Sequence, residues 1–146
     1  TIDRVRSELS SALYFHYAGH GFFQENDNWG AVLPLADDGK LTMADILALP
    51  TVPEHVMLTG CETARTKATL SMETLGLAQA FIVGGAKTVI ASSRPIQDAL
   101  GGDFTRAIYD ENKNNKNTSA AFNTAQRTIL KQHPEMDWSS FRLIIP

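Results

Sequence analysis

Apolar residues in this chain follow two rhythms that alternate from end to end. Ile2, Val5 and Leu9 recur three and four apart, which predicts a helix over residues 2–9 leading into the first strand. Residues 12–18 follow as a nearly unbroken apolar and aromatic run. Tyr14, Phe15 and Tyr17 suit a pleated, buried surface, so this run predicts a central strand. Residues 22–28 are polar and loop-like. Residues 31–35 predict a short strand closed by an Asp37-Asp38-Gly39 turn, a hairpin-like insert. Thr42-Met-Ala-Asp45 has the form of a capping box. Met43, Ile46 and Leu47 give the short helix behind it a buried stripe, until Pro50 and Pro53 stop it.

The second half repeats the alternation. Residues 56–59 predict another central strand, and residues 62–69 a polar loop long enough to wall a cleft. Leu75, Ala78 and Ile82 mark a helix from about 73 to 83, stopped by Gly84-Gly85. Residues 88–91 predict a third strand, and residues 92–98 a loop at the same sheet edge. Leu100, Phe104, Ala107 and Ile108 stripe the next helix, and residues 111–117 read as a charged, Asn-rich exposed turn. Phe122, Ala125, Ile129 and Leu130 mark the last helix, ended by Pro134, and residues 141–145 close the chain as a strand. Strands alternating with helices predict an α/β domain with a mostly parallel sheet covered by helices. No internal repeat or domain boundary interrupts the pattern.

Composition narrows this picture without redirecting it. The 146 residues suffice for one domain with a real core, and 43% hydrophobic with 20% charged residues is ordinary for a globular domain. A net charge of −3 without a Lys/Arg cluster argues against direct nucleic acid binding by this segment. No apolar run approaches the roughly 18–20 residues that span a bilayer, so no membrane partner is expected. One cysteine forms no internal disulfide and excludes a Cys-rich zinc site, and a reducing, cytoplasmic location is the default.

The chemistry gathers at two strand ends. The first strand runs into Gly19-His20-Gly21, whose glycines permit a sharp turn and close approach of a ligand. The second runs through Thr59-Gly60 to Cys61. Neighbouring strand tips are where open α/β sheets bind ligands. A thiol reacts as thiolate, and a nearby imidazole can take its proton, while the N–H groups of Gly21 and Cys61 could face an oxyanion forming on an acyl group. Taken singly, Cys61 also fits plain core packing, and Gly-His-Gly a plain turn. Their joint occurrence in this element order favours catalysis. His16 stands four residues before His20, but on a strand that spacing only places both on one face, and no further residue completes a ligand set. His16 is therefore read as packed or hydrogen-bonded, His55 and His133 as surface residues, and no metal or other cofactor is expected. The chain contains neither a Gly-x-Ser-x-Gly elbow nor a Gly-x-Gly-x-x-Gly turn.

At these residues the chain resembles the CHAT domain, a branch of the cysteine peptidase group that includes caspases, separase and gingipains. Phe15-His-Tyr-Ala-Gly-His-Gly21 is similar to its histidine motif, and Leu58-Thr-Gly-Cys-Glu-Thr-Ala64 to its cysteine motif. Residues 75–85 with 87–92, and the closing Trp138-Ser-Ser-Phe-Arg-Leu, are similar to later landmarks, so the likeness spans about residues 12–145. It implies a caspase-like three-layer α/β/α sandwich with a mostly parallel central sheet. It further implies a Cys–His dyad of Cys61 as nucleophile and His20 as acid/base, with Gly21 supplying an oxyanion amide and no metal needed for the chemistry. A protein or peptide substrate follows, as does a regulatory or sensor module in the same or an associated chain. The family's strand and helix before Ile2 are expected to be largely missing here, so that residues 1–146 form a single domain of a larger protein. The loop after the third strand, Ser92-Ser-Arg-Pro-Ile-Gln-Asp98, departs from the Trp-Pro-type sequence common in the family, so specificity does not transfer. Asp98 in that loop could select Lys or Arg before the scissile bond, or serve only as a helix-start carboxylate complementing the dipole. The leading expectation is a cysteine endopeptidase. Its rivals are a non-catalytic scaffold or sensor domain that binds a partner in the same cleft, and another thiol chemistry such as acyl transfer.

Overall fold

The computed structural model describes residues 1–19, 22–23, 31–59, 70–94, 96–114 and 117–146. Its elements in chain order are α1 (Ile2–Leu9), β1 (Tyr14–Tyr17), β2 (Phe22–Phe23), β3 (Ala31–Pro34), β4 (Lys40–Thr42), α2 (Met43–Leu47), β5 (His55–Leu58), α3 (Leu70–Val83), β6 (Thr88–Ser92), α4 (Asp98–Asn114), α5 (Thr118–Gln132) and β7 (Phe141–Ile144), with a 3-10 turn at Trp138–Ser140. The main sheet has the order β1-β5-β6-β7. Its first three strands are parallel, and β7 returns antiparallel to β6. A small antiparallel sheet, β2-β3-β4, forms the insert between β1 and β5.

Strand alternation builds the layers. The parallel register sets Phe15 beside Val56 and Val56 beside Val89, and one residue later His16 beside Met57 and Met57 beside Ile90. The first set, with Leu58 and Ala91, packs against Leu77, Ala78 and Phe81 of α3, Leu9 of α1 and Ile46 of α2. The second set, with Phe141, packs against Leu100, Phe104 and Ile108 of α4 and Phe122, Ala125 and Ile129 of α5. Side chains of a strand alternate between faces, so the two clusters lie on opposite sides of one sheet. The result is the α/β/α sandwich with a mostly parallel sheet that the sequence reading anticipated.

Local chemistry fixes the element ends. At α2 the Asp45 N–H donates to Thr42 Oγ1 at 3.1 Å, and the Thr42 N–H donates back to Asp45 Oδ2 at 2.8 Å, the reciprocal bonds of a capping box. Arg6 of α1 donates to the same carboxylate. Burial pushes the Asp45 carboxyl up, but Arg6 and the Thr42 bonds outweigh it and hold the group below its ordinary range. After α3, Gly85 has φ +109°, with bonds from Ala86 N to Phe81 O (2.9 Å) and from Gly85 N to Ile82 O (3.0 Å). This is a Schellman ending, in which glycine meets no Cβ penalty.

The insert and the helix ends depart from the sequence reading. Phe22–Phe23, expected within a loop, pairs with β3, and Lys40–Thr42 adds a strand that the Asp37-Asp38-Gly39 turn and Lys40 had hidden. Helix α3 begins at Leu70, not near 73. Residues 111–114, expected as an exposed turn, extend α4, supported by an Asp110–Lys113 pair at 3.1 Å. Asn117 then accepts from the N–H groups of Ser119 and Ala120 and starts α5. Among the described residues, no helix is long and apolar enough to cross a membrane.

Candidate active site

Strands β1 and β5 end side by side. Beyond their last paired residues, Tyr17 and Leu58, the Thr59 N–H donates to Tyr17 O at 3.0 Å and carries the ladder one step further. Ala18 and Gly19 then leave β1 in the direction of its carboxyl end. Glycine at 19 has a steric reason: a Cβ there would sit 2.9 Å from the ring of Tyr17. That ring is anchored by its hydroxyl, which donates to Pro34 O at 2.9 Å and ties the insert to the strand end.

A cavity of about 360 Å³ opens at this place. His16 and Thr59 form its floor, Ala18 and Gly19 one side, and Asp98, Gly101, Gly102 and Thr105 of α4 the other. The volume falls within the size range of small-ligand sites, and the position, outside the carboxyl ends of adjacent parallel strands, is the usual one for an α/β sheet.

The floor is hydrogen-bonded. His16 projects on the face covered by α4, where its Nε2 lies 2.7 Å from Thr59 Oγ1 and its Nδ1 lies 3.4 Å from the Tyr109 hydroxyl. In a neutral ring one nitrogen donates and the other accepts. Donation by Tyr109 to Nδ1 leaves the Nε2–H to donate to Thr59, so one tautomer satisfies both contacts. Burial pushes the His16 pKa down and keeps the ring neutral. This carries a sign for stability. The unfolded chain protonates His16 near pH 6.5, as an ordinary histidine does, while the folded chain holds it neutral to lower pH. The residue's contribution is therefore present above that value and is lost as pH falls towards the lowered folded pKa. Chemical denaturation between pH 8 and 5 is expected to give a shallower decline in stability for His16→Gln than for the wild type. Equal slopes would refute the assignment.

Helix α4 presents two faces. Leu100, Phe104 and Ile108 enter the core, while Asp98, Gly101, Gly102, Thr105 and Tyr109, at helical spacing, form a second stripe facing the strand ends. Two glycines inside a helix cost about 1 kcal/mol each relative to alanine. The segment joining β6 to α4 is held from behind. Arg94 donates to Asp137 through Nε (2.8 Å) and Nη2 (2.7 Å), and the Ser93 hydroxyl donates to Ser140 O at 2.8 Å. Hydrogen bonding from Arg94 holds the Asp137 carboxyl below its ordinary range. The ion pair is half exposed, so it orients the segment more than it stabilises the fold.

Of the residues singled out in the sequence, His20, Gly21 and Cys61 lie outside the described residues, as does the 62–69 loop. In sequence His20 follows directly on Gly19, and Cys61 comes two residues after Thr59; both Gly19 and Thr59 line the cavity. Asp98 is exposed, begins α4 and lines the cavity, so the pocket and helix-start readings describe the same position. His16 is hydrogen-bonded as expected but also faces the cavity. His55 stacks on Tyr14 with ring centroids 4.8 Å apart and contacts Thr88 Oγ1 at 2.8 Å. His133 lies near Asp103 and Glu135 at the end of α5. Thr59, Gly101, Gly102, Thr105 and Tyr109 were not singled out. The small and polar stripe at 98, 101, 102 and 105, beside the apolar stripe of the same helix, was the signal for four residues of this face. Among the described residues, no group of three His, Cys, Asp or Glu side chains could hold a metal ion.

A family model described as CHAT domain matches residues 1–146. Comparison with curated proteins returns no match.

Proposed function

The chain belongs to the CHAT domain family, a caspase-like family, and we propose that it is a cysteine endopeptidase acting on a protein substrate with a Cys61–His20 dyad. In this reading His20 takes the thiol proton and the Cys61 thiolate adds to the peptide carbonyl carbon. The Gly21 N–H donates to the oxyanion, and His20 returns the proton to the leaving amine as the C–N bond breaks. Water then hydrolyses the thioester. The observation that carries the reading is the cavity at the carboxyl ends of β1 and β5, lined by the residues that lead directly into both motifs. Asp98 adds a preference for Lys or Arg before the scissile bond, since no described residue forms an ion pair with it. A regulatory or sensor module, in the same or an associated chain, controls access.

Peptide-library cleavage by the longest natural form of the protein, with candidate activators and with Cys61→Ala alongside, tests this. Cleavage is expected to fall on the order of 10³-fold or more in the variant. Cleavage that survives Cys61→Ala overturns the reading. So does the absence of cleavage by the wild type together with a Cys61 that fails to react with iodoacetamide. A profile with no basic preference, unchanged in Asp98→Ala, removes the role given to Asp98.

A further inference from the structure

The cavity has a wall that thiol chemistry does not require. Gly102 sits inside α4, where a side chain would favour the helix, yet neither crowding nor backbone conformation calls for glycine there. A Cβ added to it would meet no atom within 4 Å, and its φ lies outside the left-handed region that favours glycine. The residue is exposed and lines the cavity beside the buried Gly101. Its missing side chain thus leaves open space in place of a contact. On the floor beside this bare wall are Thr59 and His16, and Thr105 lies one turn further along α4. Asp98 is the one carboxylate among the described lining residues. The next acidic groups on α4 are engaged elsewhere, Asp103 with Arg106 at 3.1 Å and with His133 at 3.3 Å, and Asp110 with Lys113.

We infer that Gly102 is a specificity-determining residue: the bare wall of α4 is the surface along which a long, unbranched substrate side chain lies, so the residue at 102 sets the length the pocket admits. A side chain at 102 shortens the cavity, and it should do so without disturbing the core, since nothing packs there. The inference rests on the peptidase reading for its substrate but not for its test, because the pocket can be filled by a small ligand without cleavage.

The test uses the Cys61→Ala protein, in which no turnover interferes, titrated with n-butylguanidine and followed by amide chemical shifts. Saturable changes confined to Thr59 and residues 98–105 are expected, with affinity reduced tenfold or more by adding Gly102→Leu. Gly102→Ala guards against a folding artefact. It is expected to raise the Tm while weakening the ligand by a smaller factor. In the active protein, Gly102→Leu is expected to move the library preference from Lys or Arg towards Ala. Absent saturable binding, or equal affinity in Gly102→Leu, overturns the inference. Binding that Gly102→Leu weakens, when the wild type cleaves nothing and its Cys61 fails to react with iodoacetamide, upholds the pocket and overturns the peptidase reading instead.

Discussion

Phe104→Ala is expected to destabilise the protein by about 3–5 kcal/mol, a large share of the ~5–15 kcal/mol that holds a domain of this kind folded. Phe104 is fully buried. Its ring stacks on Phe141 of β7 with centroids 3.7 Å apart and planes 4° from parallel, and it meets Phe122 of α5 edge-on at 5.7 Å and 77°. One side chain therefore joins α4 to α5 and both to the sheet, and its removal leaves a cavity that three elements would have to close together. The consequence reaches the site because the neighbouring stripe of α4 walls the ligand cavity. Urea unfolding monitored by far-UV circular dichroism checks the magnitude. A loss below about 1 kcal/mol would mean that the layer relaxes around the gap and that this ring is not its centre.

The fold was legible because the strands of the main sheet are predominantly apolar stretches, broken internally only at His16 and Arg142, and the long helices carry recurring apolar positions. These patterns follow from burial on two faces or on one. Residues 88–91 and 141–145 needed no tertiary information to read as strands, and they match β6 and β7 to within a residue. What escaped was decided by partners. Phe22–Phe23 becomes a strand only because Ala31 and Val32 lie across from it, and Lys40–Thr42 only because β3 does. Residues 111–114 are charged and polar, a composition that suits a turn, yet they continue a helix already packed on α5. The site divides the same way. Gly-His-Gly and Gly-Cys stand out because each breaks an apolar run. The α4 wall is made of residues with little chemistry of their own, and its meaning depends on β1 and β5, which are remote in sequence. Thr59 was read as the last residue of a strand, and only its 2.7 Å contact with His16 gives it a further role.

His16 on β1 and His20, four residues later in sequence, invite the question of which one would serve the thiol in the proposed peptidase, and the expected answer is unequal by orders of magnitude. His20→Ala is expected to lower kcat/KM by roughly 10²–10⁴-fold, the usual contribution of a positioned acid/base. His16→Gln is expected to lower it only about fivefold, the equivalent of one ordinary hydrogen bond near 1 kcal/mol. The reason lies in what each ring nitrogen of His16 already does. Nε2 is 2.7 Å from Thr59 Oγ1 and Nδ1 is 3.4 Å from the Tyr109 hydroxyl, so a proton taken from a thiol would have to displace one of these partners. Burial also lowers the His16 pKa, making the ring a poorer base than an ordinary histidine. Its contacts instead hold β1, β5 and α4 in register around the cavity floor, which is a positioning role. The pH profile separates the two. In His16→Gln the ionisations seen in kcat/KM should keep their positions at reduced amplitude, whereas in His20→Ala the limb that reports the acid/base should vanish. Loss of activity in His16→Gln as deep as in Cys61→Ala, with His20→Ala near wild type, would transfer the acid/base role to His16. It would also require Thr59 to give up its contact with the ring during catalysis.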